Sequence, residues 1–128
     1  MIKEYMINNM TIGEEGYFVW DYNEKSDILN IHKADQKVEG SAELEDFTVD
    51  FDKEGNVVGI EIMYASEFLS NAGIQKEQLS KILEAELLVN KKNNYAVIWI
   101  KLILPDLSKE SGEAVVEKKV TLPVPVID

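Results

Sequence analysis

Apolar and polar residues alternate with a period of two through "YFVWDYNEKSDILNIHKA" and again through "LEDFTVDFDKEGNVVGIEIM", and each alternation breaks at a cluster of turn formers. This pattern constrains the fold more than any other feature of the chain, because a period of two lines one face of a strand whereas a helix needs 3.6. Both stretches read as β-hairpins. In the first, the turn falls at residues 23–26, and pairing Trp20 with Leu29 and Phe18 with Ile31 puts four large side chains on one core face. The reverse face carries Tyr17, Val19, Asn30 and His32, of which Tyr17, Asn30 and His32 are candidates to face a partner. In the second, a loop of residues 53–56 sets Phe47, Val49 and Phe51 against Val58, Ile60 and Ile62. Asp50 then lies opposite Gly59, and Thr48 opposite Glu61.

The tip of that hairpin, "DFDKEGNVVGIE", follows the calcium-loop pattern D-x-[DN]-x-[DN]-G-x5-E except at its fifth place, where Glu54 stands. A loop of that kind lies between two helices and folds its last Glu back onto the ion. Here strands flank it, and Val58 at the ninth place offers no oxygen. The stretch therefore reads as a hairpin tip, with Asp50, Asp52 and Glu61 as the only metal candidates.

Charge narrows the partners. Thirteen basic residues against 24 acidic ones leave a net of -11, and every basic residue is Lys. Without the planar fork of Arg, an acidic chain is poorly suited to phosphate clamps or nucleic acid. A basic protein partner is electrostatically favoured; surplus carboxylates also serve solubility alone. The chain has no Cys, which removes disulfides, thiolate metal sites and cysteine nucleophiles. The beginning "MIKEYMINNMTIG" lacks the apolar segment of a signal peptide, and "YAVIWIKLIL" is too short to span a membrane. A cytoplasmic location is expected.

No catalytic constellation emerges. His32 is the single histidine and lacks the companions that a zinc site or a triad requires. The glycine-rich phosphate and dinucleotide patterns and the G-x-S-x-G elbow are absent. No catalytic residue and no cofactor is assigned, and the chain reads as a binding or regulatory module rather than an enzyme. Trp20 and Trp99 are read as core rather than as platforms for bases, since the surrounding surface lacks positive charge.

"DYNEKSDILNI" followed by "ELEDFTVDFDKEGNVVGIEIMYASEFL" resembles a short prokaryotic family known only as a domain of unknown function, with the pattern D-Y-x4-D-x-L-x-I and then V-D-x-D-x-x-G-x-V-x-G-I-E-I-x-x-A-S. The resemblance covers about residues 17–69 and runs through Asp21, Tyr22 and Asp27 to Ala65 and Ser66. It implies a meander of four strands followed by a helix, and no reaction. Some small members look as if they are encoded beside toxins, which implies an antitoxin-like binder.

In the second half, Ser66 can cap a short helix that Gly73 ends, and "QKEQLSKILEAE" puts Leu79, Ile82 and Leu83 on one helical stripe. Residues 84–90 fit either a continued helix or a strand. "YAVIWIKLIL" and "AVVEKKVTLPVP" read as strands, with Pro123 and Pro125 confining the last to an edge or end. The expected fold is one α+β domain over residues 1–128, a mostly antiparallel sheet built from hairpins, with about three more strands after the helical segment and helices packed on one face.

The strand over "YAVIWIKLIL" sends Tyr95, Val97, Trp99, Lys101 and Ile103 one way and Ala96, Ile98, Ile100, Leu102 and Leu104 the other. Both faces want cover, and one chain of 128 residues has few elements left to supply the second. A homodimer that buries Tyr95 and Trp99 is the expectation.

Overall fold

A computed structural model describes residues 9–124. Six strands form the first sheet: β1 (Met10–Gly13), β2 (Gly16–Asn23), β3 (Ile28–Lys33), β4 (Gly40–Leu44), β5 (Phe47–Phe51) and β6 (Val57–Met63). Their spatial order is β1-β2-β3-β6-β5-β4, antiparallel at every pair. Two short helices, α1 (Ala65–Ser70) and α2 (Lys76–Leu79), lead to a second sheet of β7 (Glu84–Lys91), β8 (Tyr95–Pro105) and β9 (Glu113–Pro123), in that order.

The two sheets face each other across one apolar core. Phe18, Leu29, Ile31, Ile60 and Ile62 of the first meet Leu87, Ile98, Ile100, Leu102 and Leu104 of the second, all within one buried cluster. β7 touches β1, β2, β3 and β6, so it crosses the strands of the larger sheet instead of following one of them.

The fold is therefore mainly β, which corrects the expectation of an α+β domain with helices covering one face. The cover comes from the second sheet. The helices have six and four residues, too few to shield a sheet face. The stripe expected on one long helix does not form: α2 stops at Leu79, Ile82 is buried, and Leu83 is 45% exposed. Residues 84–90, open between helix and strand, are strand, because eight register pairs with β8 bury Ala85 and Leu87 beside its inner row. Gln78 fixes the single turn of α2. Its Oε1 accepts from the Gln75 N–H at 2.8 Å while its Nε2 donates to the Pro105 carbonyl at 2.7 Å.

Two further expectations shift. The four-strand meander is not found, since β3 pairs with β6 and leaves β5 one place further out. In the first hairpin Trp20 faces Ile31 and Tyr22 faces Leu29, a slip of two residues from the expected pairing that keeps every side chain on its face. The second hairpin holds its expected register from Phe47↔Ile62 to Asp50↔Gly59 and then bulges, with Phe51 opposite Val57. The bulge turns both Val57 and Val58 into buried positions. Gly55, at φ 80°, occupies the left-handed position in its loop. β9 is an edge strand that ends at Pro123, as the two prolines suggest; Pro125 lies outside the described residues.

Candidate functional site

Of the metal candidates, Asp52 is absorbed by its own loop. Its Oδ1 accepts from the backbone N–H groups of Glu54 at 3.0 Å and Asn56 at 2.9 Å, and its Oδ2 from Asn56 Nδ2 at 3.2 Å. Desolvation pushes its pKa up, but these bonds and the nearby Lys33 outweigh it and hold the carboxyl below its ordinary range. Asp50 accepts from Ser41 Oγ at 2.6 Å. Glu61 lies in another cross-strand row, between Asn30 and Thr48. Among the described residues no group of three His, Cys, Asp or Glu side chains is close enough to hold an ion.

His32, Gly59, Asp50 and Ser41 form one row across the outer face of the first sheet. Gly59 is required there, since a Cβ would stand 2.5 Å from His32 Cβ and 3.3 Å from Asp50 Oδ2. The row contains the three residue types of a catalytic triad in the wrong order. Serine bonds to aspartate, and the His32 ring lies 3.4 Å from the Lys33 carbonyl, so no base stands beside a nucleophile. Of the partner-facing candidates on this face, His32 and Tyr17 are exposed, and Asn30 is half-buried between Asp21 and Glu61.

The polar centre that the sequence pattern contains without revealing its role is Asp27. Its Oδ1 accepts from Tyr22 Oη at 2.5 Å and the Ser66 N–H at 3.0 Å, its Oδ2 from Ser66 Oγ at 2.7 Å, and its carbonyl from the Ala65 N–H at 3.0 Å. Ser66 does not cap α1; the cap position is Tyr64, and Asp27 reaches across from the β2–β3 turn to take the helix's first donors. Desolvation would raise the Asp27 pKa, yet the bonds from Tyr22 and Ser66, with Lys76 nearby, hold it low. Desolvation and the same carboxylate push the Tyr22 phenol well above its usual value. Tyr22, Asp27, Ala65 and Ser66 all belong to the family-like pattern, and their arrangement is a structural tie between hairpin and helix.

The second sheet presents the other candidates. Trp20 is core, as expected, but Trp99 is not: it is 39% exposed, and Tyr95, beyond Val97 on the same face, is 40% exposed. Register places Leu88, Trp99 and Lys119 in one row, Asn90, Val97 and Thr121 in the next, and Glu84, Ile103 and Val115 near the other end. The Lys119 ammonium stands 5.5 Å over the Trp99 ring. Between them, Glu86 is buried and pairs with Lys101 at 3.8 Å, while its other oxygen accepts from the Glu14 N–H at 3.2 Å.

A family model described as "Protein of unknown function (DUF2283)" matches residues 20–66, the span from Trp20 through the Asp27 tie to Ser66. A curated relative, "Uncharacterized protein MJ0789" of Methanocaldococcus jannaschii, is 33% identical over 91 residues, covering 70% of this chain and 76% of that protein. The chain belongs to this family of unknown function. No solved structure matches it. The DUF2283 match ends at the start of α1, so the second sheet with Tyr95 and Trp99 lies beyond it. Among the described residues no helix is long and apolar enough to cross a membrane.

Proposed function

We propose that the protein is a non-enzymatic, cytoplasmic binding module that works as a homodimer joined through the outer face of the second sheet. The observation that carries the reading is the exposure of Trp99 in the middle of a sheet face and of Tyr95 at its end, with Val97 between them and Leu88 beside Trp99 in register. Single exposed apolar side chains are ordinary, but a contiguous group is an interaction surface. A second copy is the simplest cover, because a two-fold axis sets the same apolar column against itself. Charge does not forbid it. Lys101 and Lys119 lie on this face beside Glu117, so Lys of one copy can meet Glu117 of the other despite the net of -11 on each.

Burial gains roughly 25 cal/mol per Å² of apolar area, so a patch of several hundred Å² outweighs screened repulsion between distant carboxylates. In this reading Tyr22, Asp27 and Ser66 are scaffold, and the net charge suits a basic protein partner, including an antitoxin-like role. Sedimentation equilibrium at micromolar concentration in 0.15 M salt tests it. The expected result is a dimer mass for the wild type and a monomer mass for Trp99→Lys with unchanged circular dichroism; a wild-type monomer overturns the dimer.

A further inference from the structure

The fold treats the two outer edges of the second sheet differently. The Lys92 N–H donates to the Tyr95 carbonyl at 2.8 Å, which fixes the phase of the β7–β8 ladder and turns the N–H groups of Ala85 and Val89 outward. The first sheet caps both: Thr11 Oγ1 accepts from Ala85 at 2.9 Å and Glu15 Oε2 from Val89 at 3.3 Å. On the opposite side, the Val124 N–H donates to the Asn94 carbonyl at 3.0 Å, so the backbone groups of Val115, Glu117, Lys119 and Thr121 point away from β8. Among the described residues no backbone group of another element bonds to their N–H groups. A long uncapped edge is a template for one more strand.

We infer that this strand is the β9 of a second copy, joined antiparallel about a two-fold axis at Lys118, so that two copies share one sheet of six strands. The sequence of β9 selects both the occupant and the register. The strand runs from Glu113 to Pro123 with Lys118 at its midpoint, so this register alone pairs it over its full length. Glu117 of each copy then faces Lys119 of the other on the outer face of the sheet. Both residues turn their backbone groups outward, so each such pair is also a hydrogen-bonded one. Val115 meets Thr121 in the same way. The Glu113 N–H donates to the Pro123 carbonyl, and the proline, with no N–H to return, ends the ladder. A slip of two residues sets Glu117 against Glu117 in one direction and Lys119 against Lys119 in the other. A slip of one sets inward residues opposite outward ones.

The inner face agrees. A slot of about 480 Å³ lies beside the end of β9, floored by Leu44, Phe47, Val120 and Leu122. It exists because three strands cannot cover six, which leaves Leu44 and Phe47 only partly buried. In the paired register Ala114 and Val116 of the second copy lie opposite Leu122 and Val120 and descend into this slot. The two slots fall at opposite ends of the joined strands, roughly 27 Å apart at about 3.4 Å per residue, so each copy fills the other's. The opposing term is Lys118, which meets itself at the axis. Each of its ammonium groups is drawn off to 5.3 Å over the Phe68 ring of its own chain. This edge is a different surface from the Trp99 face, and with both contacts made four chains join.

The chain has no Cys, so one introduced thiol reports one contact. Lys118→Cys sets two thiols at the axis on strands whose Cα atoms are about 4.5 Å apart, within reach of a disulfide. With copper–phenanthroline as oxidant and protein at about 0.2 mM, where a small edge contact is populated, a disulfide-linked dimer is expected on a non-reducing gel. Ala114→Cys, also inward, holds its thiols roughly 27 Å apart and should give none. Glu117→Lys or Lys119→Glu, each added to Lys118→Cys, should slow the linkage by about tenfold. Mixing those two chains should restore it, since Lys then faces Glu at both pairs. Linkage of Lys118→Cys no faster than that of Ala114→Cys overturns the inference, and so does a rate that neither charge reversal changes. A second measurement leaves Lys118 in place: the Trp99→Lys chain, monomeric at micromolar concentration, should approach a dimer mass by sedimentation equilibrium near about 0.2 mM. A monomer throughout overturns the edge pairing. The two readings fail separately. A wild-type dimer whose Trp99→Lys form stays monomeric at every concentration removes the edge pairing alone, and a wild-type monomer at micromolar concentration that dimerises at the higher one, and links through position 118, removes the Trp99 interface alone.

Discussion

Asp27 adopts φ 56° and has both carboxylate oxygens occupied, so the backbone strain of one residue is held by three side-chain bonds. Replacing it with Asn keeps the size and removes the charge, and should cost about 1–3 kcal/mol by urea unfolding at pH 7. The pH dependence has a definite sign. A carboxyl whose folded pKa lies below its unfolded value of 3.8 stabilises fully above that value and loses the contribution as pH falls through the folded pKa. The gap between wild type and Asp27→Asn should therefore be full at pH 7 and close below about pH 4. Tyr22 runs the other way. Its contribution is complete below its unfolded pKa of 10.0 and is lost only as pH climbs towards the raised folded value, so Tyr22→Phe should be destabilised evenly across neutral pH. Gly59→Ala sets a methyl against His32 Cβ, and thermal denaturation should show an overpacking loss of about 1–3 kcal/mol.

At the scale of elements, the alternation of Phe18, Trp20, Leu29 and Ile31 disclosed which face is buried, but not the register. A slip of two residues preserves parity, so the sequence pattern is equally satisfied by both pairings. What decides is local: Asn23 Oδ1 accepts from the Ser26 N–H at 3.1 Å, and Asp27 takes the left-handed conformation. The placement of β3 beside β6 was hidden for a related reason. It depends on Asp27 meeting Ser66, 39 residues away, which no local period encodes. The outer face of β8 was legible only in part: the apolar residues on both of its faces raised the question of cover, yet Trp99, read as core, is exposed there. Glu86 was not, since alternation alone assigns it to the surface while Gly13 and Glu14 of the first sheet close over it. The seam between sheets rests on Thr11, which is buried. Thr11→Val deprives the Ala85 N–H of its acceptor and should cost about 1–3 kcal/mol, with faster hydrogen exchange at that amide.

Across the whole molecule, the surplus of 11 negative charges opposes compaction, and its repulsion is long-ranged until salt screens it. The melting temperature should rise with sodium chloride between about 0.02 and 0.3 M, where the screening length contracts through molecular dimensions. A flat response would mean that the Lys residues already neutralise the field locally. The bond between Thr11 and Ala85 joins residues 74 apart in sequence. During synthesis the six strands of the larger sheet leave the ribosome first, and all of them precede β7. At about 5–20 residues per second, Ala85 follows Met63 by one to several seconds. For that interval the nascent chain carries a sheet whose inner row, from Phe18 to Ile62, has no counterpart. A chaperone that shields apolar sheet faces has its opportunity then, and the arrival of β7 ends it by sealing the seam from Thr11 onwards.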